Sequence, residues 1–353
     1  MQRSVGLRIL LSAALAAGTA GLLELAAGYG NQRWQLDLCL EGEMEFDREL
    51  FWRLPRQGWR DRVPVQIGPM HLREHQHPSV PHGRPERRVL ALGDSSIFGW
   101  GVGAQDGFAH QLELQLAQSC PSWHWVVING GVPGYSSHQS LGLLERLSEQ
   151  VDPDLLIVGN LFDDAMHWRW TDRQLEERLA SPLALASMGM RALTRSTQLG
   201  RAGTCQLRVH GPERFRRRES IPWETLRLYA EEPIEGPVRV SLEDYRANID
   251  AMLDHIEARG GRAVGLLLAR ESEVRGLDRD PLMDQYRQAM TGIMAARGYP
   301  AVDLAPAFSA ALAEHDTLWL DEIHPDSTGH AIIARELASA IAATPSCAAE
   351  AGP

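Results

Sequence analysis

The sequence predicts an α/β protein built on a parallel sheet with helices on both faces. Three observations predict it. Short apolar runs end in glycine or turn residues, stretches with one apolar helical face lie between them, and the two kinds alternate from Arg88 to Ala343. Strands separated by helices require crossover connections, and right-handed crossovers cover both faces of a parallel sheet.

The elements follow in chain order. RVLALG, Arg88 to Gly93, reads as a buried strand, and GFAHQLELQLAQ, Gly107 to Gln118, sets Phe108, Leu112 and Leu116 on one helical face. WVVING, Trp125 to Gly130, is the second strand, HQSLGLLERLSEQ, His138 to Gln150, a helix, and DLLIVGN, Asp154 to Asn160, the third strand. The segment Ser241 to Gly261 opens on a serine with an acid three residues later and closes on glycine, the signature of a capped helix. RAVGLLLA, Arg262 to Ala269, is the fourth strand. A helix from Pro281 to Gly298, a short strand in YPAVDLA and a last helix from His330 to Ala343 complete the domain.

Three stretches stand outside this rhythm. Residues 1–29 place Arg3 and Arg8 before an uncharged run from Ile9 to Leu23, with apolar character continuing to Ala27. That length suits a membrane anchor with a cytoplasmic N-terminus, and its small residues also suit a cleaved signal peptide. Either reading exports the globular part to an extracytoplasmic, periplasmic side. Residues 30–87 read as a solvated connector, and the histidines His71, His75, His77 and His82 within it are taken as surface rather than as a metal site. Residues 165–240 contain Trp168 and Trp170, several helical stretches and the run Arg214 to Arg218, with no convincing strand. This is a helical insertion, placed to cap the ends of the strands, where the tryptophans serve either as a substrate wall or as ordinary packing. Residues 344–353 form a loose tail.

Composition excludes some functions. A net charge of -11, from 46 acidic and 35 basic side chains, argues against nucleic acid as a partner, because phosphate binding needs a concentrated basic face. Cys39, Cys120, Cys205 and Cys347 are widely spaced without a CxxC pair, so a clustered zinc site is not expected; one or two disulfides are possible, with pairing left open.

Ligands of open parallel sheets bind at the carboxyl ends of the strands. The first strand there delivers Gly93-Asp94-Ser95-Ser96, the second Asn129-Gly130-Gly131, and the third Asn160 followed by Asp163 and Asp164. The stretch LWLDEIHPDSTGH brings Asp321 and His324 to the start of the last helix. A serine hydroxyl is a weak nucleophile until an imidazole accepts its proton, and that imidazole needs a carboxylate to fix its tautomer. Ser95, His324 and Asp321 supply this set, with Ser96 as the neighbouring alternative. The developing oxyanion needs donors, for which the Ser95 N–H, Gly131 and Asn160 are placed. None of this chemistry calls for a cofactor or a metal.

At GDSSIFGWGV, NGGVPGYSS and DEIHPDSTGH the chain resembles the SGNH (GDSL-type) hydrolase superfamily, in particular its membrane-anchored or exported bacterial members. The four blocks lie in family order over Arg88 to Ala343. The resemblance implies a three-layer, flavodoxin-like α/β/α fold, with Ser95 as nucleophile, Gly131 and Asn160 in the oxyanion hole, and His324 and Asp321 completing a triad. The first block carries Ser96 where the family has leucine, a position without chemistry. In the third block the amide stands at Asn160, whereas the family offset falls on Asp163, which is retained as a rival. The expected activity is hydrolysis of a small-molecule, glycan or lipid ester through an acyl-enzyme. The alternatives are acyl transfer to a glycan and a noncatalytic scaffold with a degenerate site.

Overall fold

The computed structural model describes residues 19, 44–47, 49–56, 59–60, 63–77, 84–168, 171–180 and 236–347. Cys39, His82, Trp170, Cys205, Arg214 to Arg218 and, except Thr19, the N-terminal apolar run therefore lie outside the described residues, as does most of the insertion. No helix among the described residues is long and apolar enough to cross a membrane. The chain divides into two units, Met1–Trp52 with Arg173–Ile221, and Arg53–Asp172 with Pro222–Pro353. β1 (Glu45–Asp47) pairs with β2 (Phe51–Arg53) around a turn in which the Asp47 carboxylate accepts from the Glu49 and Leu50 N–H groups, both at 3.0 Å.

The second unit opens with an antiparallel pair, β3 (Trp59–Arg60) and β4 (Pro64–Val65). The solvated connector expected here is corrected by burial: Leu54, Val65, Ile67, Leu72 and Arg73 are all inside. Its sequence lacks long apolar runs because the segment forms no extended strand, yet single side chains reach the core.

Five parallel strands follow: β5 (Glu86–Gly93), β6 (His124–Gly131), β7 (Leu155–Gly159), β8 (Arg262–Leu267) and β9 (Ala301–Asp303). Their order in the sheet is β6-β5-β7-β8-β9, all neighbours parallel. Counted within the sheet this is 2-1-3-4-5, the doubly wound, flavodoxin-like order. Val89 to Leu92 and all of β7 are buried, as continuous apolar runs on a sheet covered on both faces should be.

The helices are α1 (Ser95–Phe98), α2 (Phe108–Ser119), α3 (Ser137–Val151), α4 (Phe162–Ala165), α5 (Asp172–Ala180), α6 (Leu242–Ala258), α7 (Glu271–Val274), α8 (Pro281–Ala296), α9 (Ala305–Ala311) and α10 (Ser327–Ala342). The chain reverses direction across β5, so right-handed crossovers place α2 on one face and α3, α6 and α8 on the other. α10 packs on α2, while α6 packs on α3 and α8. The Ser241 cap is present, its hydroxyl accepting the Asp244 N–H at 3.1 Å.

The two ends of the insertion are fastened together. Trp168 N–H donates to Pro237 O at 2.9 Å, Arg239 N–H to Met166 O at 2.7 Å and Val240 N–H to Asp164 O at 3.1 Å. An excursion closed at its base in this way leaves the order of the sheet undisturbed. The tail is also less loose than its composition suggests, because a Cys120–Cys347 disulfide ties its start to the end of α2.

Candidate active site

The site lies where the sheet order reverses, at the carboxyl ends of β5 and β7. Asp94 caps α1 through its carboxylate, which accepts the Ser96 N–H at 2.8 Å, and Ser95 becomes the first residue of the helix. A first-turn N–H has no partner within its own helix, so the Ser95 amide is left for another acceptor.

The opposite wall is a closed loop. Leu320 N–H donates to His324 O and Asp326 N–H to Leu318 O, both at 2.8 Å. Within it the Asp321 carboxylate accepts the N–H groups of Ile323 and His324 at 3.0 Å each and meets the His324 ring at Nδ1, 2.7 Å from Oδ2. His324 Nε2 then lies 2.8 Å from Ser95 Oγ. The Trp100 ring stacks against His324 with centroids 5.8 Å apart. The three residues selected from sequence are thus one hydrogen-bonded line, and Ser96 is not part of it: its hydroxyl donates to Ile323 O at 3.1 Å.

Electrostatics follow from burial and this line of contacts. Burial pushes Asp321 up, but the charge of His324 and their hydrogen bond outweigh it and bring the carboxyl down to about 2. For His324, burial disfavours the cation, and the attraction of Asp321, its hydrogen bond and the charges of Asp94 and Asp163 outweigh that, raising the imidazole above its usual value. Burial also raises Asp94 and Asp163 well above the carboxylate range, each despite the neighbouring positive charge of His324. Asp164 rises to about 7, again through burial, while accepting the Ser137 N–H at 2.9 Å at the start of α3.

The expected donors fare differently. Asn160, directly after β7, is 1 % exposed, and neither atom of its amide has a hydrogen-bond partner among the described residues. Its backbone carbonyl is held by the Tyr245 hydroxyl at 2.8 Å. Asp163 instead faces Arg239, its Oδ1 lying 3.5 Å from Nη1. Gly131 is a correction: its N–H, expected to face substrate, donates to Asn129 Oδ1 at 2.9 Å. Glycine is required there by close approach, since a Cβ would stand 2.3 Å from the Phe98 nitrogen in α1.

The next turn offers the N–H that Gly131 does not. Tyr135 N–H donates to Val132 O at 3.0 Å, closing a turn with Pro133 second and Gly134 third at φ 79°. In a type II turn the middle peptide is flipped outward, so the Gly134 N–H takes no part in the closing bond. VPGY is the sequence signal for this turn and was available. Arg239, which donates to Gly134 O and Gln139 Oε1 and to Asp172 at 2.7 Å, carried no signal, because it stands at the far end of the insertion. Arg73 was equally hidden: buried in the former connector, it donates to the carbonyls of Phe98 at 2.8 Å and of Gly99 and Val102 at 2.5 Å, capping the end of α1. Trp168 is buried with the Arg239 guanidinium 4.5 Å above its ring, so its place is in this packing rather than on an exposed wall.

A doubly wound sheet with a serine, an imidazole and a carboxylate in line at its switch point defines a hydrolase-type site. The sequence model of the GDSL-like lipase/acylhydrolase family matches residues 91–332, and the chain belongs to that family, whose members are hydrolases of ester bonds. No curated protein matches the chain in sequence. Among solved structures it is similar to LAE5, an alpha/beta hydrolase enzyme from the metagenome of Lake Arreo, Spain, at 16% identity, TM-score 0.45, covering 73% of this chain and 96% of that one. It is also similar to a catalytic mutant of Axe2, an acetylxylan esterase from Geobacillus stearothermophilus, at 17% identity, TM-score 0.45, with 73% and 95% covered. A third is the lipase/acylhydrolase from Enterococcus faecalis, at 14% identity, TM-score 0.43, with 72% and 95% covered.

Proposed function

We propose that the chain is a serine esterase that forms an acyl-enzyme on Ser95. The observation that carries this reading is the unbroken line from Asp321 through both nitrogens of His324 to Ser95 Oγ, with contacts of 2.7 and 2.8 Å. Ser95 Oγ attacks the ester carbonyl as His324 Nε2 takes its proton, and a tetrahedral oxyanion forms. Collapse of that intermediate breaks the bond to the alcohol, which leaves with the proton from His324. Water then attacks the acyl-enzyme, His324 acting once more as base, and the acid is released.

The oxyanion takes hydrogen bonds from the Ser95 N–H, the Asn160 amide and the Gly134 N–H. The unpartnered, buried amide of Asn160 supports its role over that of Asp163, and the bond from Gly131 to Asn129 supports Gly134 in its place. We place the enzyme outside the cytoplasm, held by its N-terminal segment and acting on carbohydrate or lipid esters. Arg3 and Arg8 before the apolar run support this, and so does the Cys120–Cys347 disulfide, a bond that persists in oxidising compartments.

The test is labelling by a serine-reactive phosphonate. Stoichiometric labelling of the native chain that disappears in Ser95→Ala is expected. Absence of labelling in folded protein, or labelling unchanged by that substitution, refutes the reading.

A further inference from the structure

Two of the connector histidines converge with helix α2 on a site that the ester chemistry does not use. His110 and Glu113 stand three residues apart on α2 and so share one face of it. His75 arrives from the segment before β5. One donor atom from each of His75, His110 and Glu113 lies within 4.8 Å of the others. The sequence concealed this grouping, because the framework that the histidine-rich tract lacked is supplied by a helix more than thirty residues further on.

The cluster is largely enclosed. Glu113 is 1 % exposed and the His75 side chain 5 %. His75 Nε2 and Glu113 Oε2 face each other at 3.3 Å, and His110 presents a ring nitrogen to the same point. Two imidazoles and a buried carboxylate thus turn one donor atom each toward a single point. The other half of the carboxylate is fully engaged, Glu113 Oε1 accepting the Val127 N–H at 2.6 Å and lying 2.7 Å from His77 Nδ1. Such outer contacts orient a carboxylate so that its remaining oxygen points one way.

We propose that His75, His110 and Glu113 bind a divalent transition-metal ion of the zinc class, with His77 as the positioning residue behind Glu113. Two imidazoles and a carboxylate are a zinc donor set, leaving a fourth position for water. Donors at zinc bond lengths in a tetrahedron stand about 3.3 Å apart, the separation His75 Nε2 and Glu113 Oε2 already have. The His110 donor lies within 4.8 Å of both. The His77 side chain is 48 % exposed, so the site lies near solvent and open to an entering ion. The ion joins α2 to the segment that carries Arg73, the residue that caps α1 below Ser95, and its role is to hold that segment.

The test uses the full chain, stripped with a chelator and dialysed against Zn²⁺. One equivalent bound per chain is expected, with a rise of a few degrees in thermal midpoint. His75→Ala, His110→Ala and Glu113→Gln should each weaken that binding about 10²-fold or more, and His77→Ala about 10- to 100-fold. Glu113→Gln keeps an oxygen for the Val127 N–H and His110 is partly exposed, so loss of binding in these two is not loss of fold. Co²⁺ in place of zinc should give the visible absorption of a four-coordinate nitrogen and oxygen site. Absence of saturable zinc uptake, or uptake unchanged in the His110→Ala and Glu113→Gln variants, overturns the proposal.

Discussion

Ser96 Oγ donates to the carbonyl of Ile323 at 3.1 Å, fastening the turn that carries Ser95 to the loop that carries His324. Each member of this pair is the chain neighbour of a residue of the proposed triad, so the bond controls a distance and supplies no chemistry. Ser96→Ala should keep the phosphonate reactivity of Ser95 while lowering stability by about 1 to 2 kcal/mol, the scale for losing one buried hydrogen bond. Denaturant midpoints check the second part. Loss of labelling in Ser96→Ala with unchanged stability would mean that the two serines have exchanged roles.

The acid limb of kcat/KM against pH should have its midpoint above 6.5. His324 must be neutral to accept the serine proton, and its pKa is raised above that value by Asp321, which overcomes the opposing effect of burial. Activity is therefore lost as pH falls through the raised value. In Asp321→Asn the attraction is gone while burial remains, so the midpoint moves to lower pH and the rate drops about 10³- to 10⁴-fold. A midpoint unmoved by this substitution would show that another group governs the limb.

Asn160→Ala should lower kcat about 10²- to 10³-fold with little change in KM, because an oxyanion donor acts on the transition state and not on bound ester. Steady-state kinetics on a soluble acyl ester measure both. A near-silent Asn160→Ala beside an inactive Asp163→Ala would transfer the role to Asp163.

Arg239→Met should cost about 3 to 5 kcal/mol, since it strands the Asp172 carboxylate in a buried place where the pair lies at 2.7 Å and the Arg239 side chain is wholly inside. The same substitution frees the Gly134 carbonyl, so kcat falls in whatever protein still folds. Arg239→Lys should recover little of either, because an ammonium cannot reproduce the planar fork that reaches Gly134, Gln139 and Asp172 together. Chemical denaturation of the three proteins tests this, and a stable Arg239→Met variant contradicts it.

The five strands and the main helices were legible because apolar periodicity is local: β7 is an uninterrupted buried run, and Ser241 announces its helix within four residues. Ser95, Asp321 and His324 could be proposed together because their motifs bring a hydroxyl, a carboxylate and an imidazole to the carboxyl edge of the sheet as one set; that they form one hydrogen-bonded line is given by the structure. The order of the strands, the pairing of Cys120 with Cys347, the diversion of the Gly131 N–H to Asn129 and the parts played by Arg73 and Arg239 were decided only in three dimensions. Each of these depends on which distant segment comes to fill a hydrogen bond or cancel a charge. A sequence pattern records what a residue is and what its neighbours are. The partner of a buried polar atom is chosen by the packing of the whole chain.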